Sequence, residues 1–171
     1  CGGGFPQAGM AVGDLAVATG EIDAQLGIES EIPGNPLVEL PFSIGTCSQG
    51  SYKNRIPMDE KLALSVARVL RNCFGKVQIG PFITVSTITA TDERAGCLYE
   101  QFGATMESME GSAGAQLACH YGIPFVEIRS AGNLVGKRDR ASWNLPAAFE
   151  KCTRAVSAFL ADIKETDRND A

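Results

Sequence analysis

The sequence predicts an α/β domain of three layers, in which helices cover both faces of a mostly parallel, mixed sheet. Apolar, β-branched segments alternate with amphipathic segments along the chain, and this alternation is typical of strands and helices that succeed one another in a layered α/β/α domain. The chain has 171 residues, a length that suits one domain with its own core. We therefore treat residues 1–171 as a single domain, and we expect that the strands which begin such a domain precede Cys1.

Each element follows from local composition. Residues 12–22 are rich in Val, Ala and Thr and predict a strand. Residues 27–57 carry four prolines and several glycines, so we expect a long, mostly irregular connection with one short strand. Connections of this length often have a function or pack on a neighbouring subunit, and we therefore expect a homo-oligomer.

The remaining segments alternate between helix and strand. Residues 58–74 place Leu62, Val66 and Leu70 at helical spacing, and Gly75 is a suitable C-cap. The later predicted elements are strand 77–88, helix 91–102, strand 104–107, helix 109–121, strand 124–129, helix 146–164 and a charged, frayed tail over 165–171.

Composition excludes several classes of function. The formal net charge is −5, whereas a nucleic-acid groove needs a basic face. The cysteines and the single histidine lack zinc-ligand spacing, so we expect neither a metal nor another cofactor. No apolar run is long enough to span a membrane. We expect a cytoplasmic protein, with Cys73, Cys97 and Cys119 as buried free thiols.

In a parallel sheet, ligands bind beyond the carboxyl ends of the strands. Two segments at such positions are short and polar or glycine-rich. The run Gly2-Gly3-Gly4 could cradle an anion or let a ligand approach the backbone, although it lacks the spacing of a dinucleotide or P-loop motif. Thr87 and Thr89 lie near the end of the predicted strand 77–88. We expect Gly2, Gly3, Thr87 and Thr89 to contribute to substrate binding.

Two further segments carry charged and amide side chains. Glu107 and Glu110 stand where a strand meets a helix; they either stabilise the helix N-terminus as charges or bind a ligand. Arg129 and Asn133 follow the predicted strand 124–129, and either recognise a polar ligand or belong to an ordinary turn before a solvated charge run. His120 falls in the last turn of a predicted helix, where a favourable dipole contact is the expected role.

These residues resemble a known family. Met109-Glu110-Gly111 at a strand–helix junction, the run 122–129 and Asn133 are similar to the purine nucleoside phosphorylase and nucleosidase superfamily. Within it, the run Asn-Leu-Val-Gly at 133–136, followed by Arg-Asp-Arg at 138–140, resembles the futalosine hydrolases of menaquinone biosynthesis. The resemblance extends from Gly2 to at least Phe159, and it implies hydrolysis of an N-ribosidic bond with release of hypoxanthine.

The resemblance implies a role for each matching residue. Glu110 would accept hydrogen bonds from the ribose 2′- and 3′-hydroxyls and favour the cationic state of the sugar, while Met109 would pack on the ribose. Asn133 would donate to N7 or to the 6-oxo oxygen of the purine, whereas an aspartate stands here in adenine-releasing relatives. Arg129 would steady this loop or Glu110. Glu110 and Asn133 are thus the implied catalytic residues, and the ligand is a small purine nucleoside.

Two residues depart from the pattern of the family and concern base recognition: Ser108 replaces an asparagine and Gly132 replaces a serine.

Three alternatives to a futalosine hydrolase remain. A methylthioadenosine/S-adenosylhomocysteine nucleosidase is one alternative, and a phosphorylase is another, although no clear arginine cluster for phosphate is present. The family also uses an acidic residue of its N-terminal segment to activate water, and we expect that residue to precede Cys1. An inactive fragment is therefore the third alternative. Trp143 is expected to be a packing anchor.

Overall fold

A computed structural model describes residues 1–31 and 37–169, the last four of them by their backbone alone. The described strands are β1 (Gly2–Gly4), β2 (Leu15–Asp23), β3 (Ile28–Glu29), β4 (Leu37–Val38), β5 (Gly45–Cys47), β6 (Gly50–Tyr52), β7 (Arg55–Pro57), β8 (Val77–Thr84), β9 (Met106–Ser108) and β10 (Ile128–Leu134). The helices are α1 (Glu60–Phe74), α2 (Asp92–Phe102), α3 (Gly111–Tyr121) and α4 (Leu145–Asn169).

The C-terminal ends predicted for the first three helices, at residues 74, 102 and 121, are confirmed, and local capping groups lie at their termini. Asp59 caps α1, because its Oδ1 accepts hydrogen bonds from the backbone N–H of Lys61 and Leu62, at 2.9 and 3.1 Å. Thr91 caps α2 in the same way. Gly103 and Gly122 end α2 and α3 with φ of 62° and 64°, a left-handed conformation that favours glycine.

Six strands form one mixed sheet in the order β10-β1-β9-β8-β2-β7. The pairings of β2 with β8, β8 with β9 and β1 with β10 are parallel, and the other pairings are antiparallel. The predicted mixed α/β sheet is confirmed. In addition, β10 pairs with β2, and this pairing closes five of the strands into a ring. The alternation of elements does not predict this closure, because it depends on a contact between residues more than 100 positions apart.

The core follows from the ring. One cluster takes Ala16 and Ala18 from β2, Phe82 from β8, Met106 from β9 and Ala131 from β10, and therefore fills the ring interior. Outside the ring, α1 and α4 pack on alternate residues of β2 and on β8, whereas α2 packs on a separate cluster. The helices thus pack on the outer face of the ring, and the ends of its strands remain available for a binding site.

Several predicted boundaries were wrong; for example, the strand predicted over 77–88 ends at Thr84. The described part of the connection 27–57 is not mostly irregular, because its backbone groups pair in five short strands, β3 to β7. Residues 32–36 lie outside the described residues. The strand predicted over 124–129 is β10, which runs instead from Ile128 to Leu134. The last helix continues to Asn169 through the tail predicted to fray, and residues 170–171 are not described.

The cysteines also differ from expectation. All six are free, but Cys73 is exposed and Cys97 and Cys119 are half-buried, so the prediction of fully buried thiols was wrong. Cys73 lies on α1, whose buried face is formed by other residues. Over the described ranges, no helix is long and apolar enough to cross a membrane. In the same ranges, no cluster of three or more His, Cys, Asp or Glu side chains is placed to hold a metal ion.

Candidate active site

A cavity of about 190 Å³ lies where β1, β9 and β10 meet the N-terminus of α3. Five of the residues predicted from sequence line it together: Gly2, Gly3, Met109, Glu110 and Asn133. Its other lining residues are Cys1, Ile88, Glu107, Ser108, Arg138 and Trp143. Larger grooves of about 420 and 520 Å³ lie beside α4 and α2, but only the smaller cavity brings the carboxylate and the amide to one place.

The glycine run forms β1, a strand of the ring. Gly2 and Gly3 line the cavity, and their contribution to substrate binding stays a prediction. β1 lies between β10 and β9, with Gly3 paired to both Asn133 and Glu107. A Cβ atom on Gly3 would stand 2.9 Å from Val135 Cγ2 and 3.3 Å from Asn133 Nδ2. A side chain on Gly3 would therefore collide with the side chains of Val135 and Asn133, and glycine lets both lie against the β1 backbone.

Glu110 lies at the junction of β9 and α3 and faces solvent. It occupies the N-cap position of α3, but its side chain makes no capping hydrogen bond. About 72% of the side chain is exposed, and Oε2 accepts a hydrogen bond from Arg129 Nη2 at 3.1 Å. The carboxylate is therefore oriented by an arginine from another element and keeps accessible oxygen atoms for a ligand.

Arg129, on β10, is mostly buried and makes three different polar contacts. Its Nε donates to Glu127 Oε1, Nη1 donates to the carbonyl oxygen of Cys1 at 2.7 Å, and Nη2 donates to Glu110. Burial lowers the pKa of Arg129, but the carboxylates of Glu127 and Glu110 outweigh it and raise the pKa above its ordinary value. The guanidinium stays charged and does not line the cavity itself. It contacts Glu110 from outside the cavity lining, and the steadying role that the resemblance implies stays a prediction.

Asn133 belongs to β10, and the predicted turn at this position was therefore wrong. Its Nδ2 donates to the carbonyl oxygen of Leu134 at 2.9 Å. A side-chain amide carries a second N–H and an acceptor oxygen, so Asn133 can still bind a polar group in the cavity. The neighbouring Gly132 packs under α4, since a Cβ there would lie 2.6 Å from Leu145 Cδ2.

Thr87 and Thr89 are not among the lining residues; Ile88, between them, is. The strand β8 ends at Thr84, so both threonines lie in the loop that follows. The backbone N–H of Thr87 donates to Gln25 Oε1 at 3.0 Å. Thr89 is buried, and both its N–H and its hydroxyl donate to the Glu107 carboxylate. The two threonines therefore shape the loop that presents Ile88.

Sequence reasoning missed part of the cavity wall. Ser108 is buried, and its Oγ has no hydrogen-bond partner within the described part of the chain. Trp143 was expected to be only a packing anchor, yet it lines the cavity, with the guanidinium of Arg138 4.9 Å from its ring centroid. The predicted charge run at 137–140 gave a hint of this wall, but only the folded loop brings it next to Asn133. His120 lies at the opposite end of α3 from Glu110, with its ring edge-on to Tyr121.

Comparison with known proteins agrees with this fold. The family model described as Phosphorylase superfamily matches residues 1–165. Futalosine hydrolase of Streptomyces coelicolor is 36% identical over 167 residues, which cover 96% of this chain and 64% of that protein. Futalosine hydrolase of Thermus thermophilus is 32% identical over 160 residues, covering 94% of this chain and 66% of that protein. The chain thus spans slightly less than two thirds of the length of these curated relatives.

Solved structures show the same fold. The native structure of futalosine hydrolase of Helicobacter pylori has a TM-score of 0.77 at 18% identity, over 94% of this chain and 65% of that one. A 5′-methylthioadenosine/S-adenosylhomocysteine nucleosidase of Colwellia psychrerythraea, in complex with adenine, has a TM-score of 0.70 at 20% identity, over 94% of this chain and 63% of that one. The match of the family model over nearly the whole chain, together with the closed mixed sheet, shows that the chain belongs to the phosphorylase superfamily.

Proposed function

We propose that this chain provides the ribose- and purine-binding site of a nucleosidase that hydrolyses the N-ribosidic bond of futalosine and releases hypoxanthine, as a step of menaquinone biosynthesis. The observation that carries the proposal is that Glu110 and Asn133, 23 positions apart in sequence, line one cavity. Similarity to futalosine hydrolases over about 95% of the chain supports this choice of substrate.

Glu110 is the group proposed to bind the sugar. Cleavage of an N-ribosidic bond builds positive charge on the ribose ring, as glycoside hydrolysis does. An ionised carboxylate that accepts hydrogen bonds from two ribose hydroxyls favours that charge and orients the ring. Arg129 holds Oε2 of Glu110 at 3.1 Å and so limits the orientations of the carboxylate. Met109, 48% exposed at the same junction, is placed to pack on the sugar.

Asn133 is the group proposed to bind the purine. An amide N–H can donate to N7 or to a 6-oxo oxygen, and such a donor stabilises the departing hypoxanthine. Ser108 supports a polar ligand in the same cavity, because a buried hydroxyl without a protein partner costs free energy unless a ligand or water pairs with it. The side chains of Ile88 and Trp143 supply apolar surface beside these polar groups.

A 5′-methylthioadenosine/S-adenosylhomocysteine nucleosidase is the second candidate. The observation that favours it is the similarity of fold to such an enzyme in complex with adenine. The amide of Asn133 argues against it, since adenine carries a 6-amino donor and a carboxylic acid at this position would suit adenine better. A phosphorylase would require phosphate for turnover, and an inactive fragment would show no turnover at all.

One experiment separates these candidates. The protein expressed from its complete reading frame is incubated with futalosine, with methylthioadenosine and with inosine, each with and without phosphate, and free bases are measured by liquid chromatography. We expect phosphate-independent release of hypoxanthine from futalosine. Faster release of adenine, a strict need for phosphate, or no release under any condition would each overturn the proposal.

We also propose that the protein is a cytoplasmic homo-oligomer. The support for self-association is a group of exposed apolar side chains at the C-terminal end of α3: Leu117, Tyr121 and Ile123 are each 59–65% exposed. Sedimentation equilibrium tests this directly, and a monomer at micromolar concentration would contradict it.

A further inference from the structure

Two buried carboxyl groups meet beneath the first residue of α3. Glu21, on β2, is fully buried, and Glu127, just before β10, is 8% exposed. A Cβ atom on Gly111 would stand 2.7 Å from Oε2 of Glu127 and 2.7 Å from Oε1 of Glu21. Only glycine leaves room for both carboxyl groups, so the start of α3 is built around the pair.

Other elements hold this pair in place. The hydroxyl of Thr84, at the end of β8, donates to Glu21 Oε1 and accepts a hydrogen bond from the backbone N–H of Ser112 at 2.8 Å. Glu127 Oε1 accepts from Arg129 Nε. If both carboxyl groups were ionised, Oε2 of Glu21 and Oε2 of Glu127 would be buried with no donor within the described residues. Two buried negative charges and two unsatisfied oxygen atoms would be costly.

We infer that Glu21 and Glu127 share one proton beneath Gly111, and that the single negative charge left on Glu127 fixes Arg129 against Glu110. The inferred chain of contacts runs from Thr84 through Glu21, Glu127 and Arg129 to the exposed carboxylate. Glu21 and Glu127 are positioning residues, since neither lines the cavity. The effect on ribose binding rests on the proposed function, whereas the shared proton does not.

The electrostatics agree with this geometry. Burial, then the negative charge of Glu127, and then a hydrogen bond to Glu127 raise the pKa of Glu21 from 4.5 to about 8, against the opposing effects of Thr84 and Arg129. The charged groups that act on Glu21 are Glu127 and Arg129; β8 and α3 present the hydroxyl of Thr84 and the Gly111–Ser112 backbone to it. Protonated Glu21 supplies the donor that the pair otherwise lacks.

The sign of the pH effect follows from the raised pKa. Between about pH 4.5 and 8, Glu21 is ionised in the unfolded chain but protonated in the folded one, so unfolding releases a proton and the stability contributed by this group falls as pH rises. Above about pH 8, the folded protein also loses the proton. A second negative charge then competes for Arg129, and the guanidinium is drawn from Glu110 towards the buried pair.

The test compares wild type with Glu21→Gln, and uses Glu150→Gln as a matched control on the exposed side of α4. Urea unfolding is measured from pH 5 to 9. We expect the unfolding constant of wild type to rise by at least about tenfold relative to Glu21→Gln between pH 5 and 8, since one pKa unit corresponds to a factor of ten. Glu150→Gln should follow wild type. Parallel curves for wild type and Glu21→Gln would overturn the shared proton.

Two further measurements test the connection to Arg129. The ¹⁵N resonance of Arg129 Nε, assigned by its loss in Arg129→Lys, should titrate near pH 8 in wild type and not in Glu21→Gln. The alkaline limb of kcat/KM for hypoxanthine release should move in the same variant. An unchanged Arg129 titration would overturn the positioning role. Absence of turnover in every variant would count against the proposed function alone, because unfolding and NMR still decide the inference.

Thr84→Val provides a second test of the inference, which still applies if the Glu21→Gln variant does not fold. This change removes the hydrogen bond that lowers the pKa of Glu21, so the Arg129 titration and the alkaline limb should move to higher pH. A shift to lower pH, or no shift, would contradict the inference.

Discussion

Arg129 Nη2 donates to Glu110 Oε2 across 3.1 Å and thereby joins a mostly buried residue of β10 to a carboxylate at the start of α3. The two residues are 19 positions apart in sequence. On one side of this contact Glu110 opens to the cavity, and on the other side Arg129 is anchored by Glu127. Loss of Glu110 and loss of Arg129 should therefore have different consequences.

Removal of the Glu110 carboxylate should reduce activity far more than stability. Glu110→Ala is expected to lower kcat/KM for hypoxanthine release by about 10²- to 10³-fold, the range typical of one electrostatic group at a reacting centre. Its side chain is largely exposed, so the urea midpoint should change little. Glu150→Ala, also exposed, is the control. A change in kcat/KM of less than about threefold would refute the role of Glu110.

Removal of Arg129 should reduce stability as well. Arg129→Ala leaves the buried Glu127 carboxylate without its cation, and breaking a buried pair in this way costs about 3–5 kcal/mol of unfolding free energy. Arg154→Ala breaks an exposed pair with Glu150 at 3.9 Å and should cost less than about 1 kcal/mol. Chemical denaturation measures both changes, and equal losses for the two variants would contradict the buried anchor.

Substitution of Asn133 should change the preferred base. Asn133→Asp removes the amide donor to a 6-oxo oxygen and adds a group that can accept from a 6-amino group. We expect release of hypoxanthine to fall at least tenfold relative to release of adenine, measured with paired nucleosides. Asn144→Asp makes the same chemical change at the N-terminus of α4, where either side chain can cap Ala147 N, and it should leave the ratio unaltered. An unchanged ratio in Asn133→Asp would refute the base contact.

Gly111 should not tolerate a methyl group. Gly111→Ala places Cβ 2.7 Å from atoms of both Glu21 and Glu127, and overpacking of this kind typically costs about 1–3 kcal/mol. Gly96→Ala is the matched control, because Gly96 lies within α2 with no atom near the added Cβ, and alanine there should stabilise by up to about 1 kcal/mol. Thermal unfolding measures both. Stabilisation by both substitutions would show that the carboxyl pair leaves room above it.

Helix ends were predictable because their causes are local. Asp59, Thr91, Gly103 and Gly122 act on backbone groups within four residues of themselves, and the first three helices end at the residues predicted from sequence. The approximate meeting of Glu110 and Asn133 was also predictable, since both follow from a resemblance over consecutive residues. The exact position of β10 was not, because Pro124 and its neighbours are as apolar as the strand that follows them.

The residues of the cavity wall were likewise predictable only in part from the sequence. Ser108, Arg138 and Trp143 lie in segments that the sequence pattern already marked as polar or irregular, but nothing in a local pattern brings residues 108 and 143 to one cavity. Thr87 and Thr89 were expected to bind substrate on the ground that they follow a strand. In the structure, Thr87 instead donates a hydrogen bond to Gln25 and Thr89 donates to Glu107.

The sequence by itself determined the α/β class, the C-terminal ends of the first three helices and the family, because these depend on periodicity, capping and short motifs within a few residues. Only the tertiary structure decided that the glycine run is a strand of a closed ring, that Glu21 and Glu127 meet beneath Gly111, and that Arg129 contacts both Glu127 and Glu110. The physical reason is distance along the chain. Glu21 and Glu127 are 106 positions apart, and their meeting beneath Gly111 depends on the pairing of β10 with β2, which no local pattern encodes.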